Sequence, residues 1–361
     1  MAFTPLNNAP GAASQLSNKF NSFVVITMGV FIKAIEYALP EQIVTNSDYE
    51  REFPDWNMSL IAPKTGVYER HIAAENETAL TFAKAACDKL FLTYDKSGVD
   101  AIIFCTQSPD YIMPPNSYLL HQYLGLPANI LAFDFNQACS GFIYGLVLAK
   151  SLLLSGTAKN VLLITGDTYS KYINKKDRST RVLFGDGAAA TLISADENPK
   201  GMIDHMIDSE GSKFDQFYIK AGGSLIPRSE TTAEEVTDRS GNVRTDNDIY
   251  MNGMGVLSFF QSMVPRQIKS LLKKNELAIE KVDLFVFHQA SKLAMNAVSH
   301  MLKLPEEKVF SNIAKVGNTV SASIPIACKD AMDAGLIKEG STVVFSGFGV
   351  GLSWGSVLYR F

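Results

Sequence analysis

Two short apolar segments far apart in the chain share one pattern. Residues 99–108 read VDAIIFCTQS and residues 282–291 read VDLFVFHQAS, so each begins with Val-Asp and ends in polar residues. An apolar run of this length, bounded by polar turns, predicts a strand buried on both faces, as in a parallel sheet. Residues 30–39 predict a further strand, which Pro40 ends.

The segments that follow the two strands correspond in order: a strand, a polar turn, a helix, an apolar strand and a glycine-rich strand. The first copy comprises 131–135, 136–141, a helix to Gly156, 161–165 and the region of 185–187. The second comprises 309–313, 317–321, a helix to Gly335, 342–345 and the region of 349–351. Strands that alternate with helices in two copies predict two α/β halves with mostly parallel sheets, related by a pseudo-two-fold axis.

The duplication predicts the domain organisation. We expect one half at residues 28–200, a second at 201–361 and a loose N-terminal extension at 1–27. The extension is rich in Asn, Ser, Ala and Gln and has no convincing signal-peptide cleavage site. This composition favours a loose tail or a start-site artefact, with Met28 as the alternative start, over a secretion signal.

Composition excludes several classes of protein. The formal net charge is -4, so no basic field indicates nucleic-acid binding. No apolar stretch reaches the roughly 20 residues of a membrane-spanning helix. The four cysteines are widely spaced, without a CxxC pair, which argues against a zinc site and a disulfide framework and predicts a reducing, cytoplasmic location. They are Cys87, Cys105, Cys139 and Cys328.

Cys139 is the strongest candidate nucleophile. It lies where a predicted strand gives way to a helix that is apolar on nearly all sides and is therefore expected to be buried. Unpaired N–H groups and the positive end of the helix dipole favour a thiolate there. A packed structural cysteine is the competing interpretation, since free cysteines are commonly buried.

His288 and Asn318 are informative only together with Cys139. His288 directly follows an apolar strand, where a hydrogen-bonded core histidine is equally plausible, and Asn318 could be an ordinary helix cap or turn residue. A cysteine, a neutral histidine and an amide can together supply covalent catalysis and two hydrogen-bond donors for an enolate. Because ligands gather at the carboxyl ends of strands in α/β sheets, we expect the three to meet at one seam.

The chain from residue 28 onward resembles the β-ketoacyl-acyl-carrier-protein synthase III family through six motifs in family order. The motifs are KTGVYERHIA at 64–73, ACSGF at 138–142, FGDGA at 184–188, HQA at 288–290, GNT at 317–319 with SIP at 323–325, and FGVGLSWGS at 348–356. The resemblance implies an α/β, thiolase-like fold, with duplicated βαβαβαββ halves in a five-layer α-β-α-β-α sandwich. It also implies a catalytic triad of Cys139, His288 and Asn318.

The resemblance further implies the reaction and its partners. A thioester, usually acyl-coenzyme A, acylates Cys139. Malonyl-acyl carrier protein then loses carbon dioxide, and its enolate, stabilised by His288 and Asn318, attacks the acyl group to give a β-ketoacyl thioester. The expected partners are acyl-coenzyme A, acyl carrier protein and a second copy of the chain in a homodimer; no cofactor, metal, nucleic acid or membrane is expected.

Family positions also supply candidate substrate-binding residues. Thr65 matches the mouth of the pantetheine tunnel, Arg178 an arginine near the coenzyme A adenine, and Phe348 an aromatic residue beside the thiol. Met113 matches the wall of the acyl pocket, which in the family comes from the neighbouring subunit. Leu257 is expected to affect the depth of that pocket.

The sequence departs from the family pattern at several positions. Ser291 replaces an asparagine near the pantetheine arm, and Leu293 replaces a basic residue that helps to dock the carrier protein. Val350 replaces a glycine whose N–H is expected to complete the oxyanion hole, which would strain the chain if φ there were positive. Trp56 is read as a packed residue. These departures favour a specialised relative, in secondary metabolism or with an unusual primer.

Two alternatives stay open at this point. A synthase-III-like acyltransferase would pass the acyl group to an alcohol or amine without decarboxylation. A non-catalytic subunit that shapes a partner synthase is the second alternative, although a scaffold has no physical need for Cys139, His288 and Asn318 together.

Overall fold

The computed structural model describes residues 28–197 and 200–361. The predicted extension at 1–27 lies outside the described residues. The strands are β1 Gly29–Ala38, β2 Ile43–Thr45, β3 Glu69–His71, β4 Ala101–Cys105, β5 Leu131–Phe135, β6 Asn160–Asp167, β7 Gly187–Asp196, β8 Gly201–Ser209, β9 Phe217–Ile219, β10 Val236–Thr237, β11 Val243–Arg244, β12 Ile249–Met251, β13 Leu284–Phe287, β14 Thr342–Gly349 and β15 Ser353–Arg360.

Ten α-helices connect these strands in the described part of the chain. They are α1 Asn46–Glu52, α2 Met58–Thr65, α3 Ala79–Leu90, α4 Asn116–Leu124, α5 Gly141–Leu154, α6 Arg178–Arg181, α7 Gly253–Lys274, α8 Lys292–Leu302, α9 Ile313–Val316 and α10 Ser323–Asp333. Within residues 28–197 and 200–361, no helix combines the length and apolar character that crossing a bilayer requires.

Two sheets with matching topology form the framework. The first has the order β5-β4-β6-β7-β1, with β4 parallel to β5 and β6, and β7 antiparallel to β6 and β1. The second has the order β13-β14-β15-β8, with β13 parallel to β14, and β15 antiparallel to β14 and β8. The predicted duplication is confirmed, although each sheet mixes parallel and antiparallel pairs.

The second sheet lacks a full counterpart of β5. The predicted strand at 309–313 is wrong, because only Val309 forms a bridge, to Phe285, and the chain then enters the short helix α9. The segment after this bridge bonds to a side chain and not to a strand: Gln289 Oε1 accepts hydrogen bonds from Ser311 Oγ (2.9 Å) and Asn312 N (3.3 Å).

The core lies in three layers, one on each side of the two sheets and one between them. In β4, Ile102 and Phe104 pack towards α3 and α4, whereas Ile103 packs between the sheets. Alternate residues of a strand face opposite sides of its sheet, so both faces of β4 are buried. Helices α5 and α10 fill the central layer, and α7 and α8 cover the far side of the second sheet. The chain therefore forms an α-β-α-β-α sandwich.

Dividing the chain near residue 200 remains a proposal. It is supported by the place of the neighbouring strands, since β7 ends at Asp196 in the first sheet and β8 begins at Gly201 in the second.

The central layer provides a test of the fold. Phe345 is fully buried there and packs edge-on against Phe142, with ring centroids 6.0 Å apart. Truncation of Phe345 to alanine is expected to lower the free energy of unfolding by about 3–5 kcal/mol, as buried phenylalanines do. The matched control is Phe214→Ala, since Phe214 is 63% exposed and its loss should change stability by about 0.5 kcal/mol or less. Urea denaturation followed by circular dichroism measures both, and equal effects would contradict this packing.

Candidate active site

Cys139 lies in a tight turn directly before α5. The turn, Ala138–Ser140, is a single 3₁₀ turn, and Ala138 has a φ of 34°, in the left-handed region that non-glycine residues rarely adopt. The apolar side chains of α5 bury the turn, and Cys139 is only 2% exposed. The predicted strand–turn–helix context of Cys139 is thus confirmed.

The second half contains a matching turn, but Asn318 does not occupy the matching position. Val320–Ala322 is a 3₁₀ turn before α10, and Val320 has a φ of 52°. Val320 therefore corresponds to Ala138, and Ser321 corresponds to Cys139. Asn318 lies three residues before Ser321 and therefore precedes this turn.

Strand β14 passes in direct contact with Cys139. A Cβ atom added at Gly349 would lie 2.7 Å from Cys139 Cβ and 3.0 Å from Cys139 Sγ, and one at Gly347 would lie 2.9 Å from Cys139 O. Cβ atoms in proteins essentially never lie within 3.0 Å of a non-bonded heavy atom. Glycine at these positions lets the β14 backbone approach the sulfur.

His288 follows β13 and is held at both its backbone and its ring. Its N–H donates to Ser346 O (2.8 Å), and its Nδ1 lies 2.7 Å from Ser323 Oγ. The Phe348 ring packs edge-on at 5.6 Å between centroids. Burial lowers the pKa of His288 to about 3, so the imidazole is neutral at physiological pH.

Asn318 is fixed by its backbone and by its side-chain amide. Its N–H donates to Leu183 O (3.0 Å), Nδ2 donates to Ala290 O (3.3 Å), and Oδ1 accepts from Val320 N (2.9 Å). The preceding Gly317 has a φ of 72°. The bond to Ala290 ties the amide to the loop after His288.

One cavity of about 620 Å³ brings the predicted triad together. Cys139, His288 and Asn318 all line it, with Phe348 and Gly349. Polar residues lie along another part of its wall: Lys64, Ser179, Asp238, Ser240, Asn242 and Arg244. The cavity therefore combines a sulfur nucleophile, an imidazole and an amide with a polar wall.

The structure brings some of the predicted substrate-binding residues to this cavity. Thr65, Leu257, Ser291 and Phe348 line it. Ser291 also caps α8, because its side chain accepts a hydrogen bond from Ala294 N (3.1 Å). Its hydroxyl oxygen is therefore partly engaged within the protein.

Three predicted residues lie elsewhere. Met113 is 78% exposed and is not part of the cavity wall in this single chain. Arg178 lines a neighbouring pocket, which shares Thr65 with the cavity, and its Nη2 donates to Ser240 O (3.3 Å). Val350 lines a separate pocket, and the positive φ of its turn falls on the following residue, Gly351 (138°), so Val350 escapes that strain.

The electrostatics of Cys139 differ from the sequence-based expectation. Burial raises the pKa of its thiol, the Asp167 carboxylate raises the pKa further, and only the backbone N–H of Cys139 itself lowers it. Desolvation therefore outweighs the helix N-terminus, and the free protein holds a thiol. Removal of the thiol proton is therefore needed to generate the nucleophile.

Sequence reasoning missed three contributors to the site. Ser323 holds the His288 ring, Gly349 admits the β14 backbone, and Asp167 acts on the Cys139 thiol. A signal for Asp167 was present, because it comes directly after the apolar segment 161–165, at the carboxyl end of a predicted strand. Ser323 belongs to the SIP motif at 323–325, to which the sequence analysis assigned no role.

Comparison with known proteins gives the family. A model described as 3-oxoacyl-[acyl-carrier-protein] synthase III matches residues 133–211, and the model of its C-terminal part matches 272–361. A β-ketoacyl-[acyl-carrier-protein] synthase III from Campylobacter concisus is 38% identical over 325 residues, which cover 90% of this chain and 94% of the relative. The chain belongs to the β-ketoacyl-acyl-carrier-protein synthase III family.

Two further matches agree with this membership. The synthase III of Campylobacter curvus is 39% identical over 328 residues, covering 90% of this chain and 94% of the relative. A crystal structure of a 3-oxoacyl-(acyl-carrier-protein) synthase III superposes with a TM-score of 0.90 at 41% identity, covering 92% of this chain and all of the other. As a member of this family, the chain has a thiolase-like fold and belongs to the acyltransferases.

The contact between β14 and the sulfur can be tested at Gly349. Substitution by alanine is expected to displace Cys139 or β14 and to slow thiol reactions by up to about 100-fold, the effect of a misplacement of about 1 Å in an active site. Acylation of Cys139 is followed by intact mass. Gly223→Ala is the control for introducing a methyl group at a glycine, since an added Cβ there meets no atom within 4 Å and Gly223 has no positive φ. Equal acylation rates in both variants would rule out a requirement for close approach.

Proposed function

We propose that the protein loads an acyl group from a thioester onto Cys139 and extends it by decarboxylative condensation with a malonyl-type thioester. The product is a β-ketoacyl thioester. The observation that carries the proposal is the presence of Cys139, His288 and Asn318 on the wall of one cavity. These groups supply a nucleophile, a proton acceptor and two hydrogen-bond donors.

In the first half-reaction, the Cys139 sulfur attacks the thioester carbonyl carbon. The thiol is protonated in the free protein, so its proton must leave as the carbon–sulfur bond forms. Since Ser323 holds His288 Nδ1, Nε2 is the nitrogen left for the reactants. The bond to the leaving thiol then breaks, and that thiol takes up a proton. Cys139 is left as a thioester.

In the second half-reaction, a malonyl thioester loses carbon dioxide, and negative charge develops on its thioester oxygen. A neutral imidazole N–H and the Asn318 amide can both donate to that oxygen. The amide has two N–H groups, of which one donates to Ala290 O. Ser323 can donate to His288 Nδ1 or accept from it, so it supports either tautomer. The enolate carbon attacks acyl-Cys139 and releases the thiolate.

The polar wall of the cavity supports acyl-coenzyme A as the acyl donor. Lys64 and Thr65 line both the cavity and the neighbouring pocket, and Arg178 lies in that pocket. Cationic side chains beside a channel that leads to the sulfur suit the phosphates of a coenzyme. Both reactants are thioesters, so this scheme uses no separate cofactor.

An acyl carrier protein is the proposed bearer of the malonyl group. The first turn of α8 borders the cavity, with Ser291, Leu293 and Ala294 on its wall and Lys292 between them. Lys64 also lines the cavity. The positive charge of Lys64 and Lys292 beside the cavity suits an acidic partner.

A homodimer in the cytoplasm is the proposed form of the protein. Three consecutive apolar residues are exposed: Tyr111 by 59%, Ile112 by 95% and Met113 by 78%. Strand β5 forms one edge of the first sheet, so its outer backbone groups are available to another chain. Contiguous exposed apolar residues commonly mark an interface. A role in secondary metabolism, suggested by Ser291 and Val350, is likewise proposed.

Acylation of Cys139 is the first test of this function. Incubation with a panel of acyl-coenzyme A esters should give one acyl adduct by intact mass, and Cys139→Ala should abolish it. Cys328→Ala is the matched control, because Cys328 is fully buried in the central layer and should leave the adduct unchanged. An adduct that persists in Cys139→Ala would place the nucleophile elsewhere.

Separation of the half-reactions is the second test. His288→Ala and Asn318→Ala should each lower carbon dioxide release from malonyl-acyl carrier protein by about 100-fold or more, the effect of removing a donor to a developing oxyanion. Acyl-Cys139 should still form in Asn318→Ala. If the wild-type protein forms the adduct but releases no carbon dioxide, the alternative acyltransferase that makes an ester or amide is correct. If it forms no adduct with any donor, the non-catalytic subunit is favoured.

A further inference from the structure

A buried carboxylate joins the two halves behind the active-site turn. Asp167 ends β6, has no exposed surface, and is absent from the cavity wall that the described residues form. Its Oδ1 accepts hydrogen bonds from Gln107 N (2.7 Å) and Thr106 Oγ1 (3.4 Å). Its Oδ2 accepts from Ser321 Oγ (2.5 Å) and Ser321 N (3.4 Å). One side chain thus connects the loop after β4 to the turn before α10.

The turn held by Asp167 carries groups that surround Cys139. Ser321 follows Asn318 by three residues and precedes Ser323, the partner of His288 Nδ1, by two. Val320, directly before Ser321, has a φ of 52°. This conformation is unfavourable for a β-branched residue and costs on the order of 1–3 kcal/mol. Such a conformation persists only where neighbouring contacts fix it. The bonds from Ser321 to Asp167 are such contacts.

The duplication of the fold places Asp167 and Ser321 at positions equivalent to those of Gly349 and Cys139. Ser321 occupies the position of Cys139 in its turn. Along the sheets, Ile164 pairs with Phe104 as Ser346 pairs with Phe287. Asp167 lies three residues after Ile164, and Gly349 lies three residues after Ser346, so Asp167 and Gly349 correspond. Where Gly349 touches the catalytic sulfur in one copy, Asp167 binds a serine hydroxyl in the other.

We propose that Asp167 is a positioning residue, which fastens Ser321 and thereby holds Asn318 and the Ser323–His288 pair in register with the Cys139 sulfur. The proposal rests on the proposed function, because it assigns Asp167 to the decarboxylation step. Asp167 touches no substrate and acts through the turn at 318–323.

The charge of Asp167 supplies a readout that packing alone would not change. Burial raises the pKa of Asp167 to about 6 against the opposing hydrogen bonds, so the carboxylate is ionised at pH 8. Titratable groups from three surrounding segments feel this charge: Cys105 of β4, Cys139 before α5, and Tyr169 and Tyr172 after β6. The negative charge opposes formation of a thiolate at Cys139, so its removal should lower the thiol pKa.

Two variants separate the charge from the hydrogen bond. Asp167→Asn removes the charge, and Ser321→Ala removes the fastening hydroxyl while the carboxylate stays. The rate of iodoacetamide alkylation of Cys139 at pH 9, followed by peptide mass, reports the thiolate fraction of Cys139 without any substrate. Carbon dioxide release from malonyl-acyl carrier protein reports the positioning.

The expected results differ between the variants. Asp167→Asn should raise the alkylation rate about tenfold, as for a thiol pKa lowered by about one unit, and Ser321→Ala should leave the rate unchanged. Both should slow carbon dioxide release about 10- to 100-fold, with the KM for the malonyl thioester changed by about threefold or less, as expected for misplaced catalytic groups. Should Asp167→Asn fail to fold, Ser321→Ala still carries the test of positioning.

Matched controls exist for both variants. Asp186 is equally buried and accepts hydrogen bonds from Ser170 Oγ and from Ala73 N (2.8 Å). Asp186→Asn should therefore leave the alkylation rate of Cys139 at pH 9 unchanged. Ser194→Ala removes a buried hydroxyl that donates to Asn160 Oδ1 (2.6 Å), away from the cavity, and should leave carbon dioxide release unchanged.

The proposal is overturned if Ser321→Ala releases carbon dioxide at the wild-type rate, or if the alkylation rate of Cys139 at pH 9 does not rise in Asp167→Asn. A wild-type protein that releases no carbon dioxide from any malonyl thioester refutes the proposed function instead. In that case the alkylation rate still decides whether Asp167 acts on Cys139.

Discussion

The contact of a strand backbone with one sulfur atom is the constraint on which the site depends. Strand β14 runs directly past Cys139, and only glycine at 347 and 349 leaves room for that approach. The same strand presents Phe348 to the His288 ring and accepts the His288 N–H at Ser346 O. A single backbone segment thereby sets the position of both the nucleophile and the imidazole.

Burial of Cys139 and His288 determines their protonation states before a substrate binds. Desolvation keeps His288 neutral and Cys139 protonated, although the cysteine lies at the start of a helix. A neutral pair suits a site that must first accept a thiol proton and then donate hydrogen bonds to an enolate. An imidazolium–thiolate ion pair would instead place two charges on buried side chains, at a large desolvation cost.

The duplicated fold uses its two equivalent turns for different purposes. Both turns contain a residue with positive φ directly before the key position, at Ala138 and Val320. One turn presents the Cys139 thiol to a cavity, whereas the other buries the Ser321 hydroxyl against a carboxylate. Strain of this kind persists at functional sites because surrounding contacts fix it. The two equivalent turns thus differ in role: one presents the Cys139 thiol, and the other is held by the buried Asp167 carboxylate.

The sequence by itself determined the order of elements, the duplication, and the turn and helix around Cys139, because apolar periodicity and turn residues act locally. The motifs around His288 and Asn318 further identified the residues that meet at the cavity. Only the tertiary structure decided that Asp167 binds Ser321 behind the active-site turn, and that Arg178 lies in a neighbouring pocket. It also decided that the resting Cys139 is a thiol. These outcomes depend on distances between segments more than 100 residues apart and on desolvation, which no local pattern encodes.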